Sequence, residues 1–246
     1  MAPEPTKTAI VTGASRGIGR AVASRLARDG FAVVVNYAGN TDKAEKVVNE
    51  IKSVGGRATA VRADVTNTAD VERLFTEGER ALGAIGVVVN SAGIMKMLPL
   101  ATASEADFDA ILATNVRGAF NVLKQAATRV HDGGRIVMLS TSVIAMSFPN
   151  YGPYAASKAA VEVLTRTLAN ELRGRQITVN AVAPGPTATE LFFEGKSKEQ
   201  VEYFAKLVPL ERLGSPEEIA NVVAFLVGPD GGWVNGQVLR ANGGYV

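Results

Sequence analysis

The 246-residue chain has no cysteine. Disulfides, thiolate nucleophiles and cysteine metal sites are thereby excluded. Histidine is nearly absent as well. His131 stands alone before Asp132-Gly133-Gly134, in a stretch of turn composition, and is read as a surface residue. No His/Asp/Glu group has ligand spacing, so no catalytic metal is expected. An excess of either charge is also missing, because 26 Lys+Arg against 24 Asp+Glu leave a net +2. The basic residues are scattered, and neither nucleic acid nor an anionic membrane is expected as a partner. The most apolar stretch, Ala81 to Ala101, is interrupted by Asn90, Ser91, Lys96 and Pro99, so it does not suit a membrane span. Met1 to Lys7 carries two prolines and no apolar core of the signal-peptide kind. A soluble, cytoplasmic protein is the expectation.

What is present is a rhythm. Short β-branched apolar runs at Thr8–Thr12, Phe31–Asn36, Thr59–Ala63, Ile85–Asn90, Arg135–Ser140, Ile177–Ala183 and Gln237–Arg240 read as strands. Such runs, apolar on both faces, suit a parallel sheet covered by helices. Between them, Gly17–Asp29, Thr41–Val54, Thr68–Leu82, Ser104–Val130, Gly152–Arg173 and Pro216–Val227 have helical periodicity. Ser215-Pro216-Glu217-Glu218 has the N-cap and N1 residues of a helix start. The alternation predicts an α/β, doubly wound parallel sheet of about seven strands with helices on both faces. No linker or repeat divides residues 1–246, so one domain is expected. Residues 190–214 break the rhythm and would overhang the C-terminal edge of the strands, where ligands bind.

Two features carry chemistry. Thr12-Gly13-Ala14-Ser15-Arg16-Gly17-Ile18-Gly19 joins the first strand to the first helix. Glycines there allow a tight turn and close ligand approach, while the helix N-terminus offers free N–H groups to phosphate. Tyr154-Ala155-Ala156-Ser157-Lys158 puts a phenol and an ammonium one helical turn apart. A nearby ammonium favours the phenolate, so the tyrosine pKa is expected to fall from about 10 toward the working range.

Together, the Gly-x-x-x-Gly-x-Gly spacing and Tyr154-x-x-x-Lys158 resemble the short-chain dehydrogenase/reductase family in its short form, over the length of the chain. The resemblance implies a Rossmann-type fold and a set of site residues. Gly13, Ser15, Arg16, Gly17, Ile18 and Gly19 would form the cofactor loop. Asp64 and Val65 would hold the adenine. Asn90-Ser91-Ala92-Gly93 matches the family's Asn-Asn-Ala-Gly with Ser in second place, giving Asn90, Ala92 and Gly93. Pro184, Gly185, Thr187 and Thr189 would face the nicotinamide.

The cofactor is expected to be NADP(H). The second strand ends Val34-Val35-Asn36-Tyr37, without the acid that usually bonds the ribose hydroxyls of NAD, and Asn36 does not repel a 2′-phosphate. Arg16 supplies a cation suited to that phosphate, and the resemblance associates an Arg there with NADP.

By the same resemblance the reaction is hydride transfer between nicotinamide and a small-molecule carbonyl or alcohol. Tyr154 would be the general acid or base, Lys158 would tune it and bind the ribose, and Asn115 would hold a relay water. A hydroxyl on the fifth strand should orient the substrate oxygen. Thr141 lies 13 before Tyr154, whereas Ser142-Val143-Ile144-Ala145 fits the family's Ser-x-x-Gly pattern; Ser142 is preferred and Thr141 stays open. Tyr151 lacks a Lys at +4 and is read as pocket wall. Met95, Met97, Met146, Phe148, Leu191, Phe192, Phe193, Tyr203 and Phe204 would add an apolar, partly aromatic wall. That wall favours a hydrophobic ketone or a 3-oxoacyl group. Resemblance extends to trihydroxynaphthalene reductases and 3-oxoacyl-carrier-protein reductases. A non-catalytic binding protein is the alternative. The helices at 104–130 and 152–173 are expected to pair between subunits of a homotetramer or homodimer.

Overall fold

The structure, a computed structural model, describes residues 8–246, so the expectation for Met1 to Lys7 lies outside the described residues. Seven strands form one parallel sheet: β1 (Thr8–Thr12), β2 (Ala32–Tyr37), β3 (Ala58–Arg62), β4 (Ile85–Asn90), β5 (Arg135–Leu139), β6 (Thr178–Pro184) and β7 (Val238–Ala241). Their order is β3-β2-β1-β4-β5-β6-β7. The order reverses between β1 and β4, and in such sheets the crevice at the strand C-termini beside that point receives the ligand.

Strand side chains alternate between two cores. Ala9 and Val11 of β1 join a cluster built with helices α1 (Gly17–Arg28), α2 (Thr41–Ser53) and α9 (Pro216–Val227). Ile10 joins the opposite cluster, formed with α3 (Thr68–Leu82), α5 (Gly118–Arg129) and α6 (Gly152–Glu171). Every residue of β1, β2, β4 and β6 is buried, which is why those segments read as continuous apolar runs rather than alternating ones. Ser215 caps α9 as its sequence predicts, with Glu218 closing a capping box.

One expectation changes. The helix predicted over 104–130 is not continuous: α4 (Glu105–Leu112) and α5 are joined by a π-helical turn, Ala113–Arg117. Ser104 stands outside as the N-cap of α4. An inserted residue of this kind shifts the helix face locally, a device that recurs at functional sites. Here it carries Asn115, which is buried. The 190–214 segment contains two short helices, α7 (Glu190–Phe193) and α8 (Lys198–Leu207).

Candidate active site

One cavity of about 620 Å³ opens at the C-terminal edge of the sheet. At its β1 end, Gly13 has φ +62°, and a Cβ there would stand 2.9 Å from Ala92 Cα. At Gly19 a Cβ would come within 2.3 Å of the Gly13 carbonyl. Side chains at these positions would push the loop and α1 apart and fill the cradle. Helix α1 begins without a side-chain cap, whereas Asn40 and Asn67 cap α2 and α3. Its first N–H groups therefore have no side-chain acceptor, as an N-terminus that receives a phosphate requires. Gly13, Ser15, Arg16, Gly17, Ile18 and Gly19 all line the cavity, as do Asp64, Val65, Ala92, Gly93, Pro184, Gly185, Thr187 and Thr189. Thr187 and Thr189 are held by local bonds, Thr187 Oγ1 donating to the Gly185 carbonyl at 2.9 Å and Thr189 Oγ1 accepting from Phe192 N at 3.1 Å.

Asn90 is displaced from its expected place. It is buried and not in the cavity wall; its Oδ1 accepts from Thr12 Oγ1 at 2.7 Å, and Thr12 Oγ1 in turn accepts from Ala92 N at 3.0 Å. The residue thus clamps the ends of β1 and β4 together. Asn36 faces the cavity but is likewise a strut. Its Oδ1 accepts from Gly13 N at 3.3 Å, and its Nδ2 donates to the Ala63 carbonyl at 3.0 Å and the Val61 carbonyl at 3.3 Å. Those bonds occupy the amide that would otherwise meet a phosphate.

The cations at this end are Arg16 and Lys43. Glu190, the first residue of α7, lies between them, accepting from Lys43 Nζ at 2.9 Å and Arg16 Nη1 at 3.4 Å. Hydrogen bonds from Lys43 and then Arg16 hold its carboxyl below the usual range. Two convergent cations beside a phosphate-binding loop fit a cofactor with an extra phosphate, as in NADP. Lys43 and Glu190 were not foreseen, because 147 residues separate them.

At the other end Tyr154 and Lys158 project from α6, both buried. Burial pushes Tyr154 up to about 12, against a lowering hydrogen bond from Thr141. Burial brings Lys158 down to about 8. The tyrosine pKa thus lies above rather than below its ordinary value, because desolvation disfavours the charged form of each group. Lys158 Nζ donates to the Leu139 carbonyl at 2.8 Å. A Cβ on Gly93 would crowd both Lys158 Nζ and Asn115 Oδ1 at 3.3 Å, so glycine at this position gives the two groups room. Asn115 lies behind the cavity wall. Its Oδ1 accepts from Ile94 N at 2.9 Å, and its Nδ2 donates to the Ile94 carbonyl at 2.9 Å and Ser157 Oγ at 3.0 Å. Its amide braces the wall from β4 against α6.

The preference for Ser142 over Thr141 is corrected by the geometry. Strand β5 ends at Leu139 and a 3-10 turn starts at Ser142, so strict alternation lapses before these hydroxyls. Thr141 lines the cavity, and its hydroxyl lowers the Tyr154 phenol against the effect of burial. Ser142 Oγ instead donates to the Ala183 carbonyl at 2.9 Å and accepts from Asn242 Nδ2 at 3.0 Å. It ties β5 to β6 and to the C-terminal turn. Of the two, the hydroxyl 13 residues before Tyr154 is the one that lines the cavity.

Of the predicted wall, Met95, Tyr151, Leu191, Phe192 and Phe204 line the cavity, joined by Tyr245. Phe148 stands behind them, stacked on Tyr245 and edge-on to Phe204. Among the described residues no group of three His, Asp or Glu could hold a metal.

The family model described as "Enoyl-(Acyl carrier protein) reductase" matches residues 13–246. A short-chain type dehydrogenase/reductase of Picea abies is 49% identical over 98% of this chain and 92% of its own length. The chain belongs to the short-chain dehydrogenase/reductase family. Other members resemble it nearly as well. An NADPH-dependent aldehyde reductase-like protein of Arabidopsis thaliana, named as chloroplastic, is 45% identical over 99% of this chain and 96% of its own. A hydroxynaphthalene reductase-like protein of Metarhizium brunneum is 41% identical over 98% and 95%. Among solved structures, a Sinorhizobium meliloti dehydrogenase/reductase superposes with a TM-score of 0.93 at 41% identity, covering 97% of this chain and 94% of that one. An angucycline C-6 ketoreductase with bound NADP gives 0.92 at 36%, covering 98% and 96%. The protein is thus a short-chain oxidoreductase, of the NADP-dependent kind that these relatives represent.

Proposed function

We propose that this protein reduces the carbonyl group of a hydrophobic, aromatic or alkyl ketone or aldehyde to an alcohol with NADPH. The observation that carries the reading is one continuous cavity, with Arg16 and Lys43 at one end, Tyr154 and Thr141 at the other, and an aromatic wall between α6 and the 190–214 segment. NADPH, when bound, supplies the hydride that adds to the carbonyl carbon. Tyr154, raised to about 12 by burial, is fully protonated at neutral pH and donates that proton to the oxygen as the C=O π bond opens. Thr141 donates a hydrogen bond where charge develops on the oxygen. Lys158, mostly charged below pH 8, steadies the phenolate left behind, which regains its proton from water. The Asn115 amide keeps the wall beside Gly93 in register with α6.

The names of the relatives support this direction and substrate class. An aldehyde reductase-like protein, a hydroxynaphthalene reductase-like protein and an angucycline ketoreductase each match 98–99% of the chain. A carbonyl panel of aryl ketones, fused-ring quinones, 3-oxoacyl thioesters, aldehydes and an open-chain sugar, run with NADPH and NADH, tests the reading. Turnover of aromatic or alkyl carbonyls, faster with NADPH, is the expected result. Tight NADPH binding with no turnover anywhere on the panel would instead favour a non-catalytic binding protein.

A further inference from the structure

Three residues on one face of α6 meet three consecutive residues at the end of β5. Tyr154, Lys158 and Glu162 recur at four-residue spacing, so their side chains lie one turn apart on a single helix face. Opposite them run Leu139, Ser140 and Thr141. Lys158 Nζ donates to the Leu139 carbonyl at 2.8 Å, and the Thr141 hydroxyl acts on the Tyr154 phenol. Glu162 completes the row. Its Oε1 accepts from Ser140 Oγ at 2.7 Å, two turns beyond Tyr154.

A carboxylate drawn out of water is unfavourable unless donors satisfy it. The Glu162 side chain is 17% exposed, and the guanidinium of Arg166, on the solvent side, stands 4.0 Å from Oε2. Oε1 is left to the Ser140 hydroxyl, at the short distance of a charge-assisted bond. Ser140 is itself fixed from the other side, its backbone N donating to the Val182 carbonyl of β6 at 2.7 Å. The clasp thus ties α6 to the sheet. It does so where the sheet stops giving support: β5 ends at Leu139, and Thr141 stands in the gap before the 3-10 turn that begins at Ser142. Thr141 is held through both neighbours. Ser140 is bound to α6 by Glu162, and Ser142 Oγ to the Ala183 carbonyl of β6 at 2.9 Å. The lowering of Lys158 comes from burial and not from a neighbouring carboxylate, so what Glu162 supplies is an acceptor at a fixed place.

We propose that Glu162 is a positioning residue: by accepting from Ser140 it fixes the rotation of α6 against the end of β5, and so holds Tyr154 and Lys158 in register with Thr141. A small rotation of α6 about its axis would carry the Tyr154 hydroxyl, at the end of a long side chain, away from Thr141. It would also open the Lys158–Leu139 bond to water. Glu162 acts through Ser140 and takes no proton itself. The consequence for turnover deepens the carbonyl-reductase reading and rests on it.

The test compares Glu162→Gln, Glu162→Ala and Ser140→Ala with wild type. Glutamine removes the charge but keeps the Oε1 acceptor, so its kcat should stay near that of wild type. Each alanine variant removes the bond, and kcat should fall about tenfold, because small misplacements of catalytic groups act on the rate. Combining the two alanines should cost no more than either alone, as for partners in one bond. The second readout is the titration of Lys158, followed by NMR at its Cε and assigned with Lys158→Met. In both alanine variants the ammonium should gain water, and its pKa should move up from about 8 toward the ordinary lysine range. In Glu162→Gln it should stay. A glutamine variant as slow as Glu162→Ala would make the charge the essential feature and overturn the assignment. Alanine variants that lose only melting temperature, with kcat and the Lys158 titration unmoved, would overturn it too. If the wild type reduced no carbonyl on the panel, the reductase reading would fail. The Lys158 titration of the same proteins would then decide the Glu162 contact separately, with equal titration in all of them counting against it.

Discussion

Lys158 Nζ donates to the Leu139 carbonyl at 2.8 Å, pinning a buried ammonium to the last residue of β5. One carbonyl does not replace the water that burial removes, and the lysine pKa falls to about 8. In the proposed mechanism, the charge that would steady the Tyr154 phenolate is present at neutral pH and lost as pH rises through 8. Tyr154, at about 12, remains protonated across that interval. Reduction by the free enzyme should therefore be level near neutrality. Above pH 8, kcat/KM should fall by up to tenfold per pH unit. A pH–rate profile checks this, and a level profile from 7 to 10 would remove Lys158 from the proton-transfer step.

Thr141 and Ser142 are adjacent hydroxyls with opposite surroundings. Thr141→Val removes a donor from the cavity and should lower kcat about 10²-fold, with Thr141→Ser restoring most of it. Ser142→Ala leaves the chemistry in place but deprives the Ala183 carbonyl and Asn242 of a shared partner. Its expected cost is about 1–3 kcal/mol of stability. Steady-state kinetics and denaturant melts on the three variants separate the roles. A collapse of kcat in Ser142→Ala, with Thr141→Val unaffected, would reinstate the serine.

The seven strands were legible because strands buried on both faces must be continuous apolar runs. The glycine loop and the Tyr154–Lys158 pair were legible because local spacing alone defines them. What was hidden depends on partners distant in sequence. Ser142 is turned from the cavity by Asn242, 100 residues away. Asn36 looks like a phosphate reader until the carbonyls of Val61 and Ala63 are seen to hold its amide. The π turn at Ala113–Arg117 interrupts a stretch whose periodicity reads as unbroken helix. Tyr245 gives no signal in a terminal Gly-Gly-Tyr-Val segment; only folding brings it to the cavity.

Glu190 neutralises the cations suited to a 2′-phosphate, so it competes with that phosphate for Arg16 and Lys43. Glu190→Gln should tighten NADPH about three- to tenfold and leave NADH nearly unchanged, because NADH has no phosphate to meet that pair. All three side chains are about half exposed, so the gain should shrink as salt rises. Fluorescence titration of both cofactors at low and high ionic strength checks it. An equal effect on both cofactors would place the 2′-phosphate elsewhere.

The outer helices leave Phe108, Phe120 and Val163 exposed, on α4, α5 and α6 respectively. Pairing of these helices between copies would bury them. Phe120→Glu should then shift the protein toward a smaller species in light scattering, while an unchanged mass would move the contact to another face.

Asn36 offers the sharpest contrast between a recognition role and a structural one. It is 1% exposed, and its Nδ2 faces two carbonyls while its Oδ1 holds Gly13 N. Asn36→Asp keeps the Gly13 bond but sets a carboxylate oxygen against the Val61 and Ala63 carbonyls with no donor between them. An uncompensated buried charge costs about 3–5 kcal/mol. For a domain of this size that corresponds to a melting temperature lower by roughly 6–20 °C. The loosened Gly13 loop should weaken NADPH and NADH together. If the variant melted like wild type and lost NADPH alone, Asn36 would be reading the 2′-phosphate directly, and its bonds to β3 would be incidental to its role.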